Sequence, residues 1–338
     1  MSQNVLVVHG GGPTAVINAS LYGVIEEAKR NPEVGKVYGA IGGTGAIFSE
    51  TFIDLTSFDD EKLKLLLHTP ASAIGSSRYP LYEKDYEKMV DIFKKHDIKY
   101  VLLNGGNGTM DACGHIYEVC KDQDIKVVGI PKTIDNDIAM TDHSPGYGSA
   151  AKYIGTSMKE IIRDSFCLEY EKGVVSIVEI MGRNAGYIAL WCGIANGAED
   201  ILLPEKYDYD EQKIINNIIE NRKKGKKHHI IINAEGIGHS QAMAKRIEAA
   251  TGIETRATIL GHMQRGGSPT CKDRVYASTM GALAVDVLLE GKTKRVIGYK
   301  NGEYVDFDIN EALAMQKSIP EYQYEISYSL SHNYSKND

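Results

Sequence analysis

The stretch 5-VLVVHGGGPTAVINASLYGVIEEAK-29 decides the fold. Val5-Leu6-Val7-Val8 is an apolar run without period-2 alternation, the pattern of a strand covered on both faces. A glycine loop, Gly10-Gly11-Gly12-Pro13-Thr14, follows at once. Beyond Thr14 the period lengthens: Ile17, Leu21, Val24, Ile25 and Ala28 share one helical face, with Glu26 and Lys29 on the other. Strand, glycine turn and helix in succession predict a parallel sheet with helices packed on it.

The same alternation continues outward. Further strands are predicted at Val37–Ile41, Tyr100–Asn104, Lys126–Ile130, Val174–Ile180, Ile201–Leu203 and His229–Asn233. Helical spacing recurs over Tyr86–Lys95 and Gly148–Phe166. Strand and helix alternate through the first 250 residues, which predicts a doubly wound α/β architecture. A length of 338 residues exceeds one compact core and predicts two lobes of roughly 100–200 residues each. No low-complexity linker separates them, so the lobes are expected to share close contact or exchange segments. Tyr322–Asp338 is polar, with Tyr322, Tyr324, Tyr328 and Tyr334, and reads as a tail or packing arm.

Bulk properties exclude several functions. With 43% hydrophobic and 25% charged residues the chain has an ordinary globular composition. A net charge of −7 disfavours nucleic acid and acidic membranes, because a polyanion meets a repelling average surface. Met1-Ser2-Gln3-Asn4 leads directly into the first strand, without a signal-peptide pattern, and that strand is far too short for a membrane span. Five cysteines (Cys113, Cys120, Cys167, Cys192, Cys271) include no CxxC pair, so neither a disulfide framework nor a zinc site is indicated. A cytoplasmic location is the default expectation.

Ligands of parallel α/β sheets bind at the carboxyl ends of strands, and five loops there are unusual. Gly10–Thr14 lets backbone N–H groups approach an anion at a helix N-terminus, although a tight turn accounts for it equally well. Gly105-Gly106-Asn107-Gly108-Thr109 repeats the strand-then-Gly-Gly pattern and the same logic; a flexible turn is its plainer reading. Pro131-Lys132-Thr133-Ile134-Asp135-Asn136-Asp137 crowds two carboxylates, a lysine and a hydroxyl at a strand end. One carboxylate could take a hydroxyl proton while the other helps hold a divalent metal, and turn formation is the competing reading. Met181-Gly182-Arg183-Asn184-Ala185-Gly186 places an arginine suited to bidentate phosphate recognition, or to a surface ion pair. Leu260–Pro269, containing His262 and Arg265 and preceded by Arg256, suits a second anion. Two anion sites with carboxylates between them suit phosphoryl transfer, where positioning and charge neutralisation do most of the catalysis.

In order and content these motifs resemble the phosphofructokinase family over about Val5 to Gly298, most specifically at Pro131–Asp137, Met181-Gly182-Arg183 and Leu260–Pro269. The resemblance implies two doubly wound, mostly parallel three-layer α/β lobes with the active site in the cleft between them, in a homotetramer or homodimer. Residues 1–139 with about 256–305 would form the phosphoryl-donor-binding lobe, 140–255 with about 306–320 the sugar-phosphate-binding lobe, and 321–338 a tail. The implied reaction is Mg²⁺-dependent phosphoryl transfer to the 1-hydroxyl of fructose 6-phosphate. By motif, Asp135 would be the base and Thr133 would contact the transferred phosphoryl group. Arg183 would stabilise that group, with Met181 and Gly182 shaping the sugar pocket. Glu235 would bind sugar hydroxyls; Arg256 (from a neighbouring subunit), His262 and Arg265 would hold the sugar phosphate. Gly12, Arg78, Tyr79, Gly106, Asn107, Gly108, Thr109 and Lys132 would line the donor site, with Asn107 and Asp137 at the metal.

Departures from the family pattern are informative. Asn107 replaces an aspartate that helps bind Mg²⁺, which leaves more of that task to Asp137. Val174 stands where a phosphate-anchoring arginine is usual, with Lys172 nearby. Tyr22 and Glu26 replace first-helix arginines of nucleotide-activated members, so that form of regulation is not expected. The basic run Arg222–Lys227 then reads as a solvated helix end. Gly108 leaves open the space that an acidic residue fills in pyrophosphate-dependent members, which favours ATP. Lys132, together with Ile41 and Glu83 at adenine-flanking positions, points the other way. ATP is the favoured donor on the excluded-volume argument, with pyrophosphate as the alternative. Sedoheptulose 7-phosphate presents the same reacting end as fructose 6-phosphate. A non-catalytic regulatory subunit is a further alternative, opposed by the presence of Asp135, Asp137, Arg183 and Arg265. A dinucleotide-dependent oxidoreductase is opposed by the lack of GxGxxG.

Overall fold

Val5, Leu6, Val7 and Val8 are all fully buried, and they divide by alternation between two apolar clusters. Leu6 and Val8 join Val101, Leu103 and Val127 on one face; Val5 and Val7 join Leu102, Val128 and Ile130 on the other. Burial of each such side chain contributes about 1.5–3 kcal/mol, so a run that is apolar on both faces is held as a covered central strand.

The computed structural model describes residues 3–167 and 173–332. In chain order it contains β1 (Gln3–His9), α1 (Ile17–Arg30), β2 (Val34–Ala40), α2 (Gly45–Phe48), β3 (Phe52–Asp54), α3 (Asp60–Lys64), α4 (Glu83–Lys95), β4 (Ile98–Gly105), α5 (Asn107–Cys120) and β5 (Lys126–Pro131). Then come α6 (Tyr147–Cys167), β6 (Val174–Ile180), α7 (Tyr187–Asn196), β7 (Asp200–Leu202), α8 (Glu211–Lys223), β8 (His228–Ala234), α9 (Ser240–Thr251) and β9 (Glu254–Ile259). The chain continues with α10 (Cys271–Leu289), β10 (Arg295–Lys300), β11 (Glu303–Asp308), α11 (Ile309–Ala314) and α12 (Glu321–His332). It forms two compact units, Met1–Ser149 with Arg265–Lys317 and Ala150–Gln264 with Ser318–Asp338.

The first unit holds a seven-stranded sheet in the order β11-β10-β5-β4-β1-β2-β3. Its five inner strands run parallel, while β11 and β3 pair antiparallel at the edges. From β1 the chain moves outward to β2, then returns to β4 on the other side of β1. That reversal is a topological switch point, the place where open α/β sheets bind ligands. The carboxyl ends of β1, β4 and β5 are in register there, with His9 opposite Asn104 and Gly105 opposite Pro131. Outside the sheet, α1 crosses α10 at close range. A Cβ on Gly23 would lie 1.9 Å from the Ser278 carbonyl oxygen, and one on Gly281 2.1 Å from that of Ser20, so only glycine permits this crossing.

The second unit has a parallel four-stranded sheet, β7-β8-β6-β9. Its core packs Val175, Ile177 and Ile231 with Met243 and Ile247 of α9. The last described stretch, anticipated as a tail or packing arm, is the helix α12, in which Ser327 is buried. Lys172 and Tyr334 lie outside the described residues. Among the described residues no helix is long and apolar enough to cross a membrane.

Candidate active site

In the first unit three loops leave neighbouring strand ends. The loop after β5 is built by its own side chains. Thr133 Oγ1 accepts from Asp135 N–H at 3.1 Å. Asn136 adopts φ +52°, accepts from Ser144 N–H at 2.8 Å through Oδ1, and donates from Nδ2 to the Asp142 carbonyl at 3.3 Å. Asn tolerates this left-handed conformation and braces the turn on both sides, leaving Asp135 and Asp137 half-buried. Asn107 Nδ2 donates to Asp137 Oδ2 at 2.8 Å, joining the two positions expected at the metal. Burial raises the Asp137 carboxyl above its ordinary value, against the hydrogen bonds from Asn107 and Thr133 and the charge of Lys317.

Cations cluster on the glycine loop. Lys132 is buried and donates from Nζ to the Gly12 carbonyl at 2.5 Å. The Arg265 guanidinium lies against Gly12, where a Cβ would come within 2.6 Å of Cζ. Burial lowers the Lys132 ammonium to about 8, and the charges of Arg265 and Arg78 add to that against Asp135 and Asp137. Several positive groups gathered at a switch point, beside the N-terminus of α5 at Gly106–Thr109, form a cradle for a polyanion. The exposed Tyr79 ring packs near Phe48, with ring centroids 5.8 Å apart. Gly108 faces open space, with no atom within 4 Å of a Cβ placed there. Glu83 sits in the first turn of α4, where the helix dipole favours a carboxylate.

The second unit carries Met181, Gly182, Arg183, Glu235, Arg256 and His262. Met181 and Gly182 are buried, whereas Arg183, Glu235 and His262 are exposed. Glu235 N–H donates to the Ile180 carbonyl at 2.8 Å, so the Met-Gly-Arg loop and the Glu235 loop leave paired strand ends together. Arg256 lies on the edge strand β9, beside Ser176 of β6, and its guanidinium meets Glu254 at 2.7 Å and Asp164 at 3.3 Å. Arg265, expected at the sugar phosphate, belongs to the first unit, with its guanidinium against Gly12. In the basic run, Lys226 forms an ion pair with the buried Glu199, so that lysine is engaged with a carboxylate.

Sequence reasoning passed over other residues. Buried Gln264 accepts from Met181 N–H at 3.0 Å and donates to the Gly261 carbonyl at 2.9 Å, locking the turn that presents His262. Lys317, with its ammonium lowered to about 8 chiefly by burial, adds positive charge near Asp137. A glutamine in a glycine-rich loop carries no distinctive signal, and Lys317 is distant in sequence from every motif. Asp273 is fully buried: Oδ2 accepts from Ser149 N–H and Oγ at 2.6 Å, and Oδ1 lies 2.6 Å from His143 Nε2. That clasp fixes the start of α10 to the segment after the Asp135 loop.

Comparison with known proteins identifies the family. The phosphofructokinase family model matches residues 4–288. An ATP-dependent 6-phosphofructokinase of Clostridium botulinum (strain Loch Maree / Type A3) is 38% identical over 333 residues, covering 97% of this chain and 99% of that protein. ATP-dependent 6-phosphofructokinase 1 of Clostridium perfringens (strain 13 / Type A) is 39% identical over 332 residues, with the same coverage. Among solved structures, a pyrophosphate-dependent phosphofructokinase from Nitrosospira multiformis superposes with a TM-score of 0.87 at 29% identity, covering 95% of this chain and 86% of that one. With strand-end loops, family model and full-length relatives in accord, the chain belongs to the phosphofructokinase family.

Proposed function

We propose that the chain is a 6-phosphofructokinase that transfers the terminal phosphoryl group of ATP to the 1-hydroxyl of fructose 6-phosphate, giving fructose 1,6-bisphosphate. The observation that carries this reading is the pairing, within one unit, of the cationic cradle at Gly12 with the Asp135 and Asp137 carboxylates on the adjoining strand end. Relatives of 38–39% identity over nearly their whole length, named as ATP-dependent 6-phosphofructokinases, support it.

In this reaction Asp135 accepts the proton of the 1-hydroxyl as the oxygen attacks phosphorus. Lys132 and the N–H groups at the start of α5 hold the donor phosphates. Thr133 braces the Asp135 backbone and, with Arg183, contacts the transferring group as its charge develops. Met181, Gly182, Glu235, His262, Arg265 and Arg256 bind the sugar phosphate, with Arg256 reaching a neighbouring subunit's site in a homotetramer or homodimer. Mg²⁺ fits the donor set: a half-buried Asp137 carboxylate beside the neutral Asn107 amide suits a hard cation that keeps several waters and binds mainly to substrate phosphates. When bound, that ion neutralises charge on the donor phosphates. The enzyme is assigned to the cytoplasm.

Pyrophosphate is the second donor reading, favoured by the buried Lys132 on the glycine loop and by similarity to pyrophosphate-dependent structures from Nitrosospira multiformis and Marinobacter aquaeolei, both at 29% identity. The open space at Gly108 and the closer curated relatives favour ATP. Rates measured side by side with ATP and pyrophosphate, at fixed fructose 6-phosphate and Mg²⁺, decide between them. Turnover with neither donor would overturn the reading.

A further inference from the structure

We infer that His9 is a positioning residue for donor binding: its neutral Nδ1–H holds Ser72 in place and so sets the segment that presents Arg78 and Tyr79. This rests on the phosphofructokinase reading above. Residues 78–82 have no regular secondary structure, Ser77 before them forms an isolated bridge with Gly10, and the segment leading up to it is held largely by bonds to other parts of the chain. Asn18 of α1 donates to the Thr69 carbonyl at 2.9 Å and accepts from Ala73 N–H at 2.7 Å. Ser76 Oγ donates to the Gly11 carbonyl at 2.7 Å, and Gly11 N–H donates to the Ser77 carbonyl at 3.1 Å. Between these ties His9 reaches up from the end of β1, with Nδ1 2.7 Å from Ser72 Oγ.

The hydrogen positions follow by elimination. Ser72 Oγ donates its one hydrogen to the Gly75 carbonyl at 2.7 Å. Toward His9 it can therefore only accept, and Nδ1 must carry the proton. His9 is fully buried, and burial, followed by the nearby charge of Lys132, lowers its imidazolium to about 3, so Nε2 is a bare acceptor. Among the described residues Nε2 has no hydrogen-bonding partner, which agrees with a tautomer that carries its proton on Nδ1. The relay His9 to Ser72 to Gly75 closes the turn at Ser72–Gly75, in which Gly75 N–H donates back to the Ser72 carbonyl at 3.2 Å. Arg78, whose charge acts on Lys132, and Tyr79, which packs near Phe48, follow three and four residues later.

The test uses the full-length enzyme with His9→Phe, Ser72→Ala and His9→Asn. Asparagine places a donor near the position of Nδ1; phenylalanine fills the volume without one. Losing this buried hydrogen bond should raise the donor KM by about 5- to 100-fold in His9→Phe and Ser72→Ala. The fructose 6-phosphate KM at saturating donor should change less than about twofold, and the double variant should be no worse than either single one. His9→Asn should recover most of the donor affinity. Nitrogen NMR of the imidazole should give an Nδ1–H signal that does not titrate between pH 5 and 9. Amide exchange over residues 72–79 should speed up in His9→Phe, a readout that needs no activity. An Nε2–H tautomer, unchanged exchange over 72–79, or equal losses toward donor and sugar would each overturn the assignment. Absence of wild-type turnover would instead overturn the functional reading and leave the tautomer and exchange results to judge His9.

Discussion

Replacing Gly108 with aspartate separates ligand exclusion from misfolding. Gly108 is exposed, the second residue of α5, and a Cβ there meets nothing within 4 Å. The fold therefore accepts the new side chain, and a carboxylate in the first turn of a helix adds about 0.3–1 kcal/mol of stability. Held about 4 Å from a nucleotide α-phosphate, the same carboxylate costs between about 1 kcal/mol at the dielectric of water and about 4 kcal/mol at that of a protein surface. The kcat/KM for ATP should fall by about 5- to 1000-fold, with the melting temperature unchanged or higher. Pyrophosphate has no α-phosphate, so its use as donor, or its inhibition constant against ATP if it does not turn over, should move far less. The assay is fructose 1,6-bisphosphate formation with each donor, alongside thermal unfolding. Equal losses for both phosphates, or a fall in melting temperature matching the activity loss, would refute the excluded-volume reasoning.

Three further outcomes are expected. Asp135→Ala should lower kcat by about two to four orders of magnitude with little change in the sugar KM, and binding lost with kcat intact would remove Asp135 from the base role. Lys132 should give the donor KM an alkaline limb: the ammonium is present below about 8 and is lost above it, so affinity falls as pH rises past that point. For folding the sign is opposite, because between about 8 and the ordinary value of 10.5 only the unfolded chain keeps the proton, and stability gains across that window. KM against pH for wild type and Lys132→Met tests this, and an identical limb in both would assign it elsewhere. Asp273→Ala should destabilise the fold by about 3–5 kcal/mol, read by denaturant unfolding, because it strands His143 and Ser149 in a buried setting.

The parallel strands were legible because burial on both faces writes itself as continuous apolar sequence. Val174–Ile180 has the ends expected of it, and the other six candidates differ by a few residues at their ends. The edges were not legible. β9, Glu254-Thr255-Arg256-Ala257-Thr258-Ile259, is a polar strand because one side faces away from the sheet and little of it is buried. β10 and β11 form a hairpin whose Asn301-Gly302 turn, with φ +53° and +91°, is a strong local signal outside the apolar runs that mark the inner strands. In the candidate site, glycine loops and acidic loops stand out because they break the local pattern. Gln264, Lys317 and His9 do not stand out: their contacts join residues remote in sequence or look ordinary until hydrogen bonds are traced.

The first unit's sheet is interrupted by an entire second sheet in the sequence. β10 must lie beside β5, and α10 against α1, yet both are made only after residues 150–264 have been synthesised. A nascent chain of that length can already close the parallel sheet of the inserted unit, while α1 still exposes the Gly23 seam and β5 has an open edge. During synthesis the first unit therefore keeps an open sheet edge and an uncovered helix seam until after the inserted sheet has been made.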